Sequence, residues 1–285
     1  MKILIKLLKL FIQNNFNFLY RYYIKKLVKK KFRKEIDFFE NKNFNTVDKE
    51  SILFFTSHKS ASTFFDKFFY LIRNSQKRIC INVDQYNTFI LENKFNHSET
   101  FLGKFKSSGY IFGPIRTFLK IPNLQNYKIV LFLRDPRDVL VSDYFSTKFS
   151  HNSINQELIL EKKKVQNKTI DEFVLWKSGY YKKKYESYLP LLELKNVRYI
   201  RYNDFIENPN ETKGKLLEIF EVNKLTEELK NFFDEKKSKS KYDGKISIYD
   251  HRKMGQLNIF QNHLKQDSIS YLNEEYKDIL VKFKF

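Results

Sequence analysis

Two short runs of consecutive apolar residues, 52–55 and 129–133, constrain this chain more than any other feature, because each breaks abruptly into a polar turn that opens an amphipathic segment. The first run is bounded by hydroxyl residues and reads as a buried strand. Small polar residues around one lysine follow: Thr56, Ser57, His58, Lys59, Ser60, Ala61, Ser62 and Thr63. Phe64, Phe65, Phe68, Phe69, Leu71 and Ile72 then recur as the apolar side of a helix. A tight loop opening a helix leaves several backbone N–H groups unpaired and pointing one way, and the helix dipole adds to them, so the loop is a seat for an anion. Lys59 adds a full positive charge and the hydroxyls add donors. The loop contains no glycine, so the nucleotide signature G-x-x-x-x-G-K-[ST] is absent and an ordinary ATP or GTP loop is not expected. Taken alone, the stretch also reads as a strand-to-helix turn with a solvated lysine.

Residues 129–133 show no alternation, as expected for a strand buried on both faces. Asp135 suits a helix N-cap and Pro136 the first helical position. Val139, Leu140, Tyr144 and Phe145 supply the buried side of that helix. Arg134 leaves the strand end, and Ser142 lies eight residues on, about two turns into the helix. Both can face one ligand at the mouth of a sheet, and a guanidinium with a hydroxyl makes a sensible phosphate clamp.

The order Lys59-Ser60-Ala61-Ser62-Thr63-Phe64 resembles the 5′-phosphosulfate loop of PAPS-dependent sulfotransferases, which usually reads Lys-Ser-Gly-Thr-Thr-Trp. Arg134, Asp135, Pro136, Asp138 and Ser142 resemble the 3′-phosphate motif of the same family, R-[DN]-P-x-D-x-x-x-S. Two looser likenesses follow. The segment ending in Tyr202-Asn203-Asp204 resembles the family's late strand ending in Tyr-Glu-Asp. Arg252-Lys253-Met254-Gly255 resembles its late Arg-Lys-Gly loop, with the glycine one place late.

The resemblance implies an α/β, P-loop-like three-layer fold with a central parallel sheet flanked by helices. It implies PAPS (3′-phosphoadenylyl sulfate) as donor, PAP as product and no metal. In that reading Lys59 sits against the bridging and 5′-phosphate oxygens, while Ser60, Ala61, Ser62 and Thr63 cradle the phosphosulfate. Phe64 and Tyr202 lie near the adenine, and Arg134, Ser142, Arg252 and Lys253 bind the 3′-phosphate. Sulfuryl transfer spreads negative charge over equatorial oxygens and the leaving phosphate, which positioned cations and N–H groups stabilise. The family's basic histidine would fall on or near Phe112, where this chain has none. The proton acceptor is therefore sought at His58 or His151, with Asp84 or Glu99 as the carboxylate alternative of glycan-directed branches; His97, His251 and His263 are less favoured by position.

A length of 285 residues and 42% hydrophobic content suit one large α/β domain. The single cysteine, Cys80, excludes an intrachain disulfide and gives no metal cluster; it reads as a buried thiol in a strand over 77–83. Of the net charge of +20, just over half comes from residues 1–34, which carry eleven basic residues and no acid. Their longest uncharged stretch, 10–20, is far short of the roughly 20 apolar residues a bilayer needs, and no signal-cleavage pattern follows. The segment reads as a basic amphipathic helix, either lying on an anionic membrane or packed on the domain with its lysines in water. These features divide the chain into an extension, 1–46, and a domain, 47–285. They suggest a cytoplasmic enzyme, at the inner face of a membrane if the helix binds there, acting on a hydroxyl (or amine) of a glycan, lipid or small molecule. No nucleic-acid module is visible. The rival classes are a P-loop-type kinase using ATP and a non-catalytic basic membrane- or nucleic-acid-binding protein.

Elsewhere the pattern predicts an irregular polar lid over 84–106, a strand before the breakers Gly113 and Pro114, and a loop or exposed helix over 152–168. It predicts a helix over 169–188, a strand over 196–202 with Asp204 opening the next helix, and short helices over 212–221 and 226–233. A flexible stretch over 235–244 and one last helix carrying Ile269, Leu272, Tyr276, Ile279, Leu280 and Phe283 complete the reading.

Overall fold

The computed structural model describes residues 17–42, 44–73, 77–91, 98–149, 156–239 and 256–285. The expectations for residues 1–16 and 240–255, and for His97, His151, His251, Arg252 and Lys253, lie outside the described residues. Five described strands form one sheet: β1 (Ile52–Thr56), β2 (Ile79–Ile81), β3 (Tyr110–Ile115), β4 (Lys128–Leu133) and β5 (Val197–Arg201). Their order is β2-β3-β1-β4-β5 and every pairing is parallel. The described helices are α1 (Asn17–Lys31), α2 (Arg33–Phe39), α3 (Ser62–Ile72), α4 (Val83–Phe89), α5 (Glu99–Leu102), α6 (Pro136–Phe149), α7 (Gln156–Gln166), α8 (Ile170–Glu186), α9 (Tyr202–Glu207), α10 (Pro209–Ile219), α11 (Glu227–Lys239), α12 (Ile259–His263), α13 (Gln266–Glu275) and α14 (Lys277–Phe283).

The three layers follow from the two-residue period of a strand. Ile52 and Phe54 of β1, with Val130 and Phe132 of β4, enter one core with Phe64, Phe65, Phe68 and Phe69 of α3 and Leu216, Leu229 and Phe232 of α10 and α11. Leu53 and Phe55, with Ile129, Leu131 and Leu133, enter the other, against α6, α8 and the last three helices. Both faces are covered, so neither strand alternates in polarity. Each phenylalanine that is fully buried here contributes roughly 1.5–3 kcal/mol of transfer free energy. Phe32 and Phe38–Phe39 of the α1–α2 segment are buried too, and Phe38 packs against Tyr110 and Phe112 of β3.

Several boundaries differ from the sequence expectation. Residues 84–106 are not an irregular lid: where described, they hold α4, capped by the Asn82 side chain, and α5, capped by Ser98. β3 runs through Gly113 and Pro114 instead of ending before them. The strand tolerates them because β1 and β3 approach closely there, and a Cβ on Gly113 would stand 2.8 Å from that of Phe54. Asp204 does not open a helix; α9 starts at Tyr202, and Asp204 in its first turn pairs with Arg201 at 2.6 Å. The flexible stretch expected from 235 begins as the last turn of α11. The single last helix is two, α13 and α14, meeting at Tyr276, whose ring is fully buried and whose hydroxyl donates to the Ser178 carbonyl at 2.9 Å. The helix expected over 169–188 is α8, opened by a reciprocal cap between Thr169 and Glu172. The stretch around Lys162, Lys163 and Lys164 is helical, as α7.

Candidate functional site

The register of the sheet decides which residues emerge together. Thr56 of β1 lies opposite Phe132 of β4, and Leu133 of β4 opposite Arg201 of β5. His58, Arg134 and Tyr202 therefore leave the sheet at nearly one level. On the other side Phe55 lies opposite Ile115, which brings Arg116 to the same edge. In an open parallel sheet, ligands bind beyond these carboxyl ends, where the strand order reverses. Here the reversal is around β1.

The loop after β1 is built as an anion seat. Lys59 and Ala61 both adopt left-handed backbone conformations, with φ of 60° and 54°. They flank Ser60 and curl the chain so that successive N–H groups line a concavity. Ala61 is the residue before α3, so the first amides of that helix face the same space. Ser57 and Ser60 are buried and join through their hydroxyls at 2.5 Å. Ser62 takes a hydrogen bond from Arg116 at 2.9 Å, and Thr63 is exposed. Phe64 points away from the loop, into the aromatic core, with its ring 4.7 Å from Phe232.

The tip of β4 touches this loop. The buried Arg134 donates from Nη1 to the Lys59 carbonyl at 3.2 Å and from Nη2 to the Gln256 carbonyl at 2.8 Å. Its guanidinium stands 4.7 Å over the Tyr202 ring. Asp138, in the first turn of α6, accepts from Arg134 and from the backbone N–H groups of Asn258 and Phe260. Burial pushes the Asp138 carboxyl above its usual range, opposed by Arg134. The Arg-Asp-Pro-x-Asp motif thus organises the segment arriving from 256 as well as its own turn. Ser142 lies half-buried one further turn along α6. Arg134 Nε and Arg116 Nε are buried without a partner among the described residues.

Helix α8 and the residues just after it clamp the strand tips from one side. The Tyr188 hydroxyl donates to the Thr56 carbonyl at 2.9 Å. The Tyr185 hydroxyl donates to the Arg134 carbonyl and lies 3.1 Å from Ser57 Oγ. One residue earlier, Lys184 Nζ meets His58 Nδ1 at 2.7 Å. Around this pair stand Arg116 paired with Asp84 of α4 at 3.2 Å, Asp143 of α6 bonded by Tyr181 at 3.0 Å, and Lys177 paired with Glu161.

Loss of water around these clustered charges shifts Lys59, Lys184, His58, Asp84 and Asp143. Burial pulls Lys59 down to about 8, with Asp143 opposing and Arg116 and Arg134 adding to the fall. Burial likewise pulls Lys184 down to about 7. His58 is held well below the ordinary histidine value by loss of hydration and then by Lys184, Arg116, Lys59 and Lys177. Burial raises Asp84 and Asp143, against the pull of their cationic neighbours. The arrangement can therefore neutralise a multiply charged anion and can also hold neutral nitrogen bases near pH 7.

Of the expected site residues, His58, Lys59, Ser60, Ala61, Ser62, Arg134 and Tyr202 converge. Glu99 is exposed at the start of α5, and Phe112 is fully buried in the sheet. The sequence reading missed Arg116, Lys184, Asp143 and Tyr185. A signal for Lys184 existed: Lys177, Tyr181 and Lys184 recur at helical spacing along α8, and Tyr188 just beyond it continues the spacing.

The family model described as a sulfotransferase domain matches residues 49–284. Among solved structures the fold is similar to mouse sulfotransferase SULT7A1 complexed with PAP, at a TM-score of 0.56 and 12% identity over 82% of this chain and 85% of that one. Retinol dehydratase in complex with androsterone and inactive cofactor PAP gives a TM-score of 0.43 at 15% identity, over 87% of this chain and 84% of its own. A comparison with curated proteins finds no match.

Proposed function

The chain belongs to the sulfotransferase family and transfers a sulfuryl group, and from that premise we propose that its donor is PAPS, gripped at both ends by the tips of β1 and β4. One observation carries this reading: Arg134 donates to the carbonyl of Lys59, so the two motifs open onto one space. The residues fit such a donor. Among the described residues the Nε groups of Arg134 and Arg116 are buried donors without acceptors, each costing roughly 1–3 kcal/mol until an anion or water meets it. Lys59, Ser60, Ser62 and Thr63 would hold the phosphosulfate end. Arg134, Ser142 and Tyr202 would hold the end carrying the 3′-phosphate, together with Arg252 and Lys253, which precede Gln256 in the chain. Lys59 stabilises charge developing on the leaving phosphate only while protonated, so its contribution fades above about pH 8 unless the bound anion raises that value.

We assign the acceptor's proton to His58, the histidine that stands beside Lys59 and is held neutral. Asp84, the carboxylate alternative, also lies at this edge, but it is engaged with Arg116. The acceptor is a hydroxyl or amine on a glycan, lipid or small molecule. Residues 1–46 are proposed as an extension of the catalytic domain, 47–285, that places it at the inner face of an anionic membrane. The lysines at 25, 26, 29, 30 and 31 of α1 stand beside exposed Tyr22, Tyr23 and Leu27. No helix among the described residues is long and apolar enough to cross a membrane.

The test is thermal unfolding with PAP and with ATP. At a hundredfold excess over its dissociation constant, PAP should stabilise the protein by about 2.7 kcal/mol. Lys59→Ala and Arg134→Ala should lose most of that shift. An equal response to ATP would overturn the donor assignment.

A further inference from the structure

The contact between Lys184 and His58 joins α8 to the loop after β1 across 126 positions of sequence. Lys184 is 9% exposed, yet among the described residues it makes no ion pair with a carboxylate. Its short polar contact is the imidazole Nδ1 at 2.7 Å, with the Tyr180 ring 5.9 Å away. The charged groups facing it come from every element packed around it: Asp84 of α4, Arg116 at the tip of β3, Asp143 of α6, Lys177 of α8 itself, and Lys59 beside His58.

A hydrogen bond between an amine and a ring nitrogen holds one proton, and its placement dictates the rest of the ring. An ammonium at Lys184 has no lone pair, so it must donate to a bare Nδ1. A neutral imidazole with a bare Nδ1 carries its proton on Nε2 and can take no proton there. An uncharged amine at Lys184 can instead accept from Nδ1–H, and Nε2 is then bare and basic. Both arrangements keep the ring neutral, and both keep the same two heavy atoms in contact.

We propose that Lys184 is a positioning residue that sets the tautomer of His58, so that Nε2 becomes a proton acceptor only when Lys184 has given up its own proton. This rests on the reading of His58 as the group that takes the acceptor's proton. In the transfer step the acceptor oxygen bonds to sulfur while the bond from sulfur to the bridging phosphate oxygen breaks. The hydroxyl proton passes to His58 Nε2, and the electron pair stays on the phosphate oxygen beside Lys59. Burial, with Arg116 and Lys177 adding to it, lowers Lys184 to about 7 and puts the switch near neutral pH. The base-competent fraction then falls tenfold for each pH unit below that point.

The experiment needs no acceptor. The five histidines of the full chain are labelled with ¹⁵N, PAP is added, and His58 is identified by the signals lost in His58→Gln. Ring-nitrogen spectra are followed from pH 5.5 to 8.5. The expected result is a neutral His58 ring throughout, with Nδ1 passing from bare to protonated, and Nε2 the reverse, near pH 7. In Lys184→Arg the proton should stay on Nε2 over the whole range, and in Lys184→Met the exchange near pH 7 should vanish. A single cooperative thermal transition in both variants certifies their fold. A wild-type ring with one tautomer at all pH values, or an exchange that survives Lys184→Met, overturns the proposal. Failure of PAP to stabilise the wild type would instead sink the donor reading and leave the tautomer exchange standing.

Discussion

Ala61 offers the sharpest test of the loop geometry, because the strain it carries can be worked out. It is the sole alanine in the 285-residue chain, and it sits at φ 54°, ψ 27°, in the left-handed region. An L-residue pays roughly 1–2 kcal/mol there because its Cβ crowds the next carbonyl. Glycine removes that cost but adds freedom to the unfolded chain, worth roughly 0.4–1 kcal/mol against folding. Ala61→Gly should therefore stabilise the protein by about 0.5–1 kcal/mol. For a domain of this size that raises the melting midpoint by about 1–4 °C. Ala61→Val should do the reverse by more than about 1 kcal/mol, since a β-branched residue is still worse placed. Differential scanning calorimetry of the three proteins at one pH checks both signs. A lower midpoint for Ala61→Gly, or an unchanged one for Ala61→Val, would show that the loop is not held in the left-handed turn, and the anion seat would lose its geometric basis.

Two further outcomes are expected. At the opposite end of the sheet the Glu221 carboxylate accepts from Arg78, Lys49 and Lys128, and these bonds, Arg78 first, hold its pKa well below the carboxylate range. A depressed folded-state pKa gives stability that is present above the unfolded value near 4.5 and lost as pH falls through and below it. The site is partly open to solvent, so the advantage of wild type over Glu221→Gln should be about 1–2 kcal/mol at pH 7 and should shrink by pH 3.5 in urea unfolding; a constant gap would refute the linkage. The full chain should bind phosphatidylglycerol vesicles and not phosphatidylcholine vesicles. Replacing Lys25, Lys26, Lys29 and Lys30 by glutamine should weaken that binding by at least a hundredfold at low salt, at about 1 kcal/mol per lysine, and equal binding by both proteins would refute membrane contact through α1.

The two strand–turn–helix units were legible because both faces of β1 and β4 are covered, which removes polar residues from 52–55 and 129–133. The helix over 169–188 was legible in the same way, from the spacing of neighbouring apolar residues, and α8 occupies most of it. The course of β3 was not. Glycine and proline are ordinarily strand breakers, but Gly113 is required in β3 because Phe54, distant in sequence, leaves no room for a Cβ there. The break at Tyr276 was hidden likewise, since its apolar spacing continues a helix while its buried hydroxyl reaches Ser178.

By itself, the sequence determined the kinds of group at the site: an ammonium and hydroxyls in a tight loop, and an arginine at a strand end followed by a capped helix. Those are properties of neighbouring residues, and neighbours are what a sequence records. Only the tertiary structure decided which strand tips meet, that Arg134 reaches Lys59, and that Lys184 faces His58. It also decided the protonation of that pair, because a pKa depends on lost hydration and on every charge within a few ångströms. Those charges come from α4, α6, α8 and the tips of β1 and β3, brought together by the register of one sheet.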